Sequence, residues 1–444
     1  MPAPDVATSG HAFTPDAAAA LGGPSWLSRR RAEAAEKLAA VAWPTSREEI
    51  WRYSRVDKFD PGRYCPSVNG DGAGPARQAP GGGPFAAEAG DRAGLVVVRN
   101  GRVVHAEVEP GLAAAGVVVA DLADVDPGLA AERIGACSDA SPDPFTVLHD
   151  AFLAGGAFIL VPDGVVVEEP IVVLHWTEGD GVAGFPHTFV GAGASAEVAV
   201  VERYASTDQE ILVDAVVELD LAENAHVRYL AVQEHGTGTW QVALQRAHLG
   251  RDATLRSSAV ALGGDYARLR SESLLAAEGA ESDLLAVYYG DGDQMLDFRT
   301  LQDHAAPHTR SDLLFKGAVE DRARSVYSGL IRVRPDAQKV DAHQSNRNLV
   351  LSEGAGAESI PNLAIEADDV RCTHASAVGP IDDDALYYLA TRGVSPDDAE
   401  RLVVLGFFED VFGRLPLPSL EAPLRRSVNE KVGHLHPSDP RSAS

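Results

Sequence analysis

The sequence predicts a mainly β chain whose core is a parallel β-solenoid (β-helix) with helical regions at both ends. Three observations carry this. Between about residues 157 and 378, short runs rich in Val, Ile and Leu follow one another (AFILV, VVVEEPIVVLHW, AEVAVVERY, VVELDLA, HVRYLAVQE), separated by Gly, Asn and Asp instead of helix-length inserts. A loose repeat runs through them, in which a turn residue is followed by Ala, polar residues and an aliphatic. It occurs at Gly193-Ala194, Asn224-Ala225, Asp252-Ala253, Gly279-Ala280 and Gly356-Ala357, the first four spaced 31, 28 and 27 residues apart. On either side the texture turns helical. Repeats of this length made of short strands suit stacked coils that bury inward-facing aliphatics against their neighbours. A β-sandwich is the competing architecture, and the repeated Gly/Asn/Asp-Ala corners favour the solenoid.

Residues 1–94 form an N-terminal helical region. Its first 24 residues are rich in Ala, Pro and Gly and are expected to be loosely ordered. A helical pattern runs from Ser25 to about Trp51, and a Gly/Pro-rich linker spans about 67–91. Residues 95–156 read as a mixed α/β connection: LVVVRNGRVV is a hairpin turning at Asn100-Gly101, and a helix lies around Phe145 to Ala154. The solenoid core occupies 157–379. A C-terminal helical region, 380–444, follows. There Asp382 can cap a first helix that stops at Gly393, and Ser395-Pro396-Asp397-Asp398 opens a second with Ser at N-cap and Pro at N1. On that second helix Ala399, Leu402, Val403, Gly406 and Phe407 share a face, and Leu405, Phe408 and Phe412 widen the apolar surface, which needs a cover.

Composition excludes several function classes. With 65 Asp+Glu against 38 Lys+Arg the formal charge is −27, which opposes nucleic-acid binding and an anionic membrane surface. The most apolar stretch, Ala157 to Trp176, is interrupted by Pro162, Asp163, Gly164, Glu168, Glu169 and Pro170, and a span needs about 20 nearly uninterrupted apolar residues. Cys65, Cys137 and Cys372 make no CxxC pair, and no signal-peptide pattern opens the chain, so a reducing cytoplasm is the expected compartment.

The best local constellation is Asp368 to His374 (DDVRCTH). If Val370 to His374 is a strand, Cys372 and His374 point to one face, because side chains alternate. A thiolate and an imidazole make half of a soft-metal site, and the remaining ligands must come from elsewhere in the chain or from another subunit. An unpaired Cys-x-His is also an ordinary structural pair. His304 and His308 have HxxxH spacing, but Pro307 opposes the helix that would join them, so a loop between coils is expected. Asp382, Asp383 and Asp384 read as a helix N-terminus. The phosphate-loop, dinucleotide, GxSxG and HExxH motifs are absent from the sequence. A β-helical chain of this kind could be a carbohydrate-active enzyme or a self-associating structural protein; no carboxylate pair is singled out for the former.

The stretch from Asp297 to Gly393 resembles the SufB/SufD family of iron–sulfur cluster assembly scaffolds. The residues carrying the resemblance are Asp297 to Thr300 (DFRT), His304, Pro307 to Thr309, Lys316-Gly317, Gly329, Gln344 to Leu349 (QSNRNL), Pro361 to Glu366 (PNLAIE), Ala367 to Val370, Cys372 to His374, Val378-Gly379 and Tyr388 to Gly393. Weaker likeness extends to Val161 to Glu168 and Glu49 to Tyr53. The chain is more similar to SufD: Asn346-Arg347-Asn348 stands where SufB carries Cys-Asp-Ser.

The resemblance implies a right-handed parallel β-helix that pairs with a SufB-like paralogue, and C-terminal helices that dock a SufC-like ABC ATPase. It implies a non-catalytic scaffold, with ATP hydrolysis in the partner and no cofactor held by the isolated chain. A transient iron–sulfur cluster would form at the SufB interface, with His374 and Cys372 as shared candidate ligands. Leu386, Tyr387, Leu402, Val403 and Phe407 would meet the ATPase, and a homodimer is open to the isolated chain. With three cysteines in all, a Cys₄ cluster on this chain alone is ruled out.

Overall fold

The computed structural model describes residues 12–67, 92–136 and 143–433. The first eleven residues, nearly all of the 67–91 linker and Cys137 lie outside them. Residues 12–24 depart from the expectation of loose order. Thr14 caps α1 (Pro15–Ala19), and Phe13 is buried with its ring edge-on to Phe152 and Phe185. Aromatic burial outweighs a composition that by itself would suggest disorder. The helix α2 (Ser25–Leu38) is shorter than its sequence pattern, and 3₁₀ turns at Glu49–Trp51, Val56–Lys58 and Pro61–Arg63 lead to β1 (Cys65–Pro66).

The strands β2 (Gly94–Arg99) and β3 (Arg102–Val108) form the expected hairpin, turning through Asn100 and Gly101 at φ 49° and 79°. Two successive positive φ values define the type I′ turn that Asn-Gly favours. The chain continues through α3 (Pro110–Ala114), β4 (Val118–Asp121), α4 (Pro127–Arg133) and α5 (Pro144–Phe152). Asp143 opens α5 with a complete capping box.

From here the strands alternate between two parallel faces. One face stacks β5 (Ala157–Val161), β8 (His187–Ala192), β10 (Ile211–Leu221), β12 (Thr239–Leu249), β14 (Tyr266–Leu275), β16 (Met295–His304), β18 (Arg324–Val333) and β20 (Gly356–Ile365), with the short β7 (Val182–Gly184) beside β10. The other stacks β6 (Ile171–Thr177), β9 (Glu197–Ser206), β11 (His226–Glu234), β13 (Thr254–Ala261), β15 (Glu281–Gly290), β17 (Arg310–Val319), β19 (Asp341–Val350) and β21 (Arg371–Gly379). From β8 onward sequential strands sit on opposite faces, and each hydrogen-bonds to the strand one coil away, which defines a parallel β-solenoid.

The corners explain the repeat. The residue entering each second-face strand is left-handed at Ser195, Asn224, Asp252, Gly279, His308 and Lys339, with φ between 54° and 76°. After the first four stand Ala196, Ala225, Ala253 and Ala280, all fully buried. Gly, Asn and Asp take the left-handed corner at least cost, as at Asn224, Asp252 and Gly279, and the corners at His308 and Lys339 are followed by the buried Thr309 and Val340 instead of Ala. Two copies of the sequence repeat are displaced. The left-handed residue in the first is Ser195, not Gly193, and Gly356-Ala357 begins β20 on the opposite face.

The C-terminal helices α6 (Asp383–Thr391), α7 (Pro396–Phe412) and α8 (Glu421–Val432) pack on the outside of the second face. Asp382 and Ser395 cap α6 and α7 as expected. Val404, Phe408, Val411 and Phe412 of α7 join Leu424, Val428 and Val432 of α8 in one core with Val201, Leu230, Val260, Leu285, Val287 and Leu314 of the solenoid. Phe408 and Phe412 are therefore covered by the sheet and do not extend an exposed face. No helix among the described residues is long and apolar enough to cross a membrane.

Candidate functional site at the open end of the solenoid

The two ends of the solenoid finish differently. At the first end, β4 pairs antiparallel with β5, and the β2–β3 hairpin closes the other face beside β6. At the last end, β20 and β21 are the terminal strands of their faces, so among the described residues each leaves a backbone edge unpaired. Such an edge is a template for another strand unless something covers it.

Register places the sequence-predicted pair on this end. His374 closes a lumenal row that runs Ile171, Val200, Tyr229, Ser257, Leu284, Leu313, Gln344 and His374 across eight coils. Every earlier member is buried, whereas His374 is exposed because no coil lies beyond it. Cys372 closes the adjacent row through Val198, Val227, Leu255, Ser282, Ser311 and Ala342. The same-face expectation holds: both side chains lie on the inward side of the last strand, at its open mouth.

They differ in environment. Cys372 is half-buried against Leu363, Val370 and the core around Ile331 and Ala342. Burial, and then Asp341, push its thiol pKa up, so the free chain presents a protonated sulfur. Among the described residues no three His, Cys, Asp or Glu side chains come together as a metal site. Ile365 and Val378, on the same inward side, are 42% and 44% exposed and surround the mouth with apolar surface.

Asn346 is the residue that the resemblance sets against a SufB thiol. It is fully buried, donating to Tyr288 Oη at 2.9 Å and Phe315 O at 3.3 Å, and accepting from Asn348 Nδ2 at 2.8 Å. The Tyr288 ring reaches this pair by crossing Gly317, where a Cβ would sit 1.8 Å from Tyr288 Cε2. The Lys316-Gly317 motif is thus explained by packing: the glycine admits the ring, and Lys316 Nζ ties Phe407 O at 2.7 Å and Asp410 at 2.6 Å. His304 and His308 do not converge. His304 is buried between Thr309 and Ser311 hydroxyls at 2.8 and 3.0 Å, and His308 forms a corner.

The expected docking residues are spread over the outer helices. Tyr387 is 72% and Leu402 48% exposed, with Tyr388 beside them at 58%. Leu386, Val403 and Phe407 are half-buried against the helix–sheet core. Sequence reading missed Gln344 as part of the site. It stands next to His374 in register, buried, with neither amide atom hydrogen-bonded.

Comparison with known proteins identifies the family. The profile described as "SUF system FeS cluster assembly, SufBD core domain" matches residues 175–407, more than half of the chain, and places it among iron–sulfur cluster assembly proteins. The iron–sulfur cluster assembly protein SufD of Bacillus subtilis is 33% identical over 290 residues, covering 65% of this chain and 66% of that protein. SufD of Escherichia coli is 26% identical over 414 residues, covering 91% and 92%. A SufBD family protein of Mycobacterium tuberculosis is 32% identical over 275 residues, covering 60% and 68%. The chain belongs to the SufBD family and is SufD-like within it.

Proposed function

We propose that this chain is a non-catalytic scaffold subunit on which iron and sulfide are joined into a nascent cluster at an interface with a SufB-like paralogue. The observation that carries this reading is the uncapped end, where two unpaired strand edges, an apolar mouth and an incomplete Cys372/His374 pair coincide. A partner solenoid would satisfy the edges by strand pairing and supply the missing ligands. His374 is the stronger ligand, because it is exposed; Cys372 contributes once an approaching metal ion displaces its proton. A SufC-like ABC ATPase would dock on the outer helices through Tyr387 and Leu402, flanked by Leu386, Val403 and Phe407, and nucleotide-driven movement there would open or close the interface. The charge of −27 suits protein partners in a cytoplasmic setting, without nucleic acid or membrane.

A second copy of this chain could pair with the same free edges, and the test separates the two. Full-length chain is co-expressed with a SufB-like paralogue and a SufC-like ATPase, with and without Ile365→Asp and Val378→Asp. Loss of the paralogue from the purified complex, with the melting temperature of the isolated chain unchanged, is expected. Retention of the paralogue by the charged variant would refute pairing through this end. A homodimer that excludes the paralogue would favour self-association.

A further inference from the structure

Gln344 lies one strand inside His374 on the same lumenal row and is 2% exposed, yet neither Oε1 nor Nε2 has a hydrogen-bond partner. A buried amide left unbonded costs stability that an apolar side chain of the same size would not. The fold also reserves space for it. A Cβ on Gly329 would stand 2.5 Å from Gln344 Oε1 and 2.2 Å from Tyr327 Oη. Two residues further along β19 the Asn346 amide is bonded at both its nitrogen and its oxygen, whereas the Gln344 amide is bonded at neither, a condition it shares with the lumenal Gln302 of β16. His374, in turn, has no hydrogen bond among the described residues, and strands one register apart lie about 4.8 Å from each other. Two unbonded, complementary groups therefore occupy adjoining positions of one row. A histidine that takes a metal holds its ring through an acceptor on the other nitrogen, which sets tautomer and direction.

We propose that Gln344 is the positioning residue for His374: its Oε1 accepts the ring N–H that faces down the row, turning the other nitrogen out of the mouth toward the cargo. This rests on the ligand role proposed for His374. The acceptor, and not the amide N–H, is what the site requires.

The full chain is co-expressed with the SufB-like and SufC-like partners as wild type, Gln344→Met, Gln344→Glu and His374→Ala. Iron and acid-labile sulfide are measured after desalting with a chelator, and each isolated chain is melted. Q344M, of similar size but lacking the acceptor, should keep both partners, melt at or above the wild-type temperature and retain about tenfold less iron. Q344E restores the acceptor and should restore iron content and the cluster absorption. Wild-type iron in Q344M, equal losses in Q344M and Q344E, or a lowered melting temperature of Q344M would each overturn the proposal. If H374A retains its iron, the ligand reading itself fails; if H374A loses iron while Q344M does not, only the positioning role fails.

Discussion

Asp297→Ala is expected to detach the N-terminal segment from the solenoid. Asp297 points outward from β16 yet is 0% exposed, accepting from Arg268 Nη1 at 2.6 Å, Tyr266 Oη at 3.0 Å and Arg299 Nε at 2.7 Å. The two guanidinium groups spend further N–H groups on the segment ahead of β1: Arg268 donates to Ile50 O at 2.7 Å and Arg299 to Arg52 O at 2.6 Å. Arg268 also lies 3.8 Å over the Trp51 ring. Burial alone would raise the Asp297 carboxyl pKa, but Arg268 and then Arg299 outweigh it and hold it below the usual carboxylate range. Its folded pKa being depressed, its contribution is present above the unfolded value, near 3.9, and is lost as pH falls through the folded value. Removing the acceptor leaves two largely buried cations facing each other, a change that costs about 3–5 kcal/mol. Urea unfolding would read that loss, and limited proteolysis would read faster cleavage within residues 44–58. Asp293→Ala is the control, because its pair with Arg322 is 65% and 71% exposed and should leave the midpoint unchanged. If Asp297→Ala unfolds like the control and its N-terminal segment resists protease, the clamp does not do what its geometry implies.

Gly317→Ala should displace the Tyr288 ring and break its contacts with Asn346 and Asn348, costing about 1–3 kcal/mol in the denaturation midpoint. Tyr387→Ser with Leu402→Ser should leave the melting temperature of the chain unchanged while abolishing co-purification of the ATPase; retained ATPase would place its dock elsewhere. Stability should fall on acidification. Burial, and then His187, holds His149 well below its ordinary pKa; burial, and then His175, brings His235 down to about 3; burial brings His304 down to about 4. The unfolded chain binds these protons below about pH 6.5 and the folded chain does not, so stability drops between pH 6.5 and 5 by about 2 kcal/mol per histidine. His304→Gln should reduce that slope in denaturant titrations at each pH.

The local features were legible because short-range rules govern them. The Asn100-Gly101 turn, the Asp382 and Ser395 caps, and the Asn224, Asp252 and Gly279 corners each follow from a few neighbouring residues. Strand alternation also placed Cys372 and His374 on one side, although only register shows that this side is the lumen and that no coil covers it. Helix α7 resisted reading because apolar residues nearly encircle it. Leu402 and Phe408 look alike in sequence, and only the approach of the solenoid strands decides which is buried. The Asp297, Arg268 and Arg299 clamp was invisible for a related reason: its carbonyl partners lie more than 200 residues away. Gln344 belonged to a recognised motif, but its unbonded amide emerges only once the coils are stacked.

The central claim is that the open end shares a nascent cluster with a partner. Its most direct test is the iron and acid-labile sulfide content of the intact co-expressed complex, wild type against His374→Ala. The substitution is at an exposed edge position, so subunit composition and melting temperature should not change. Iron and sulfide should fall together to a small fraction of the wild-type content. Unchanged iron and sulfide in a fully assembled His374→Ala complex would contradict the account.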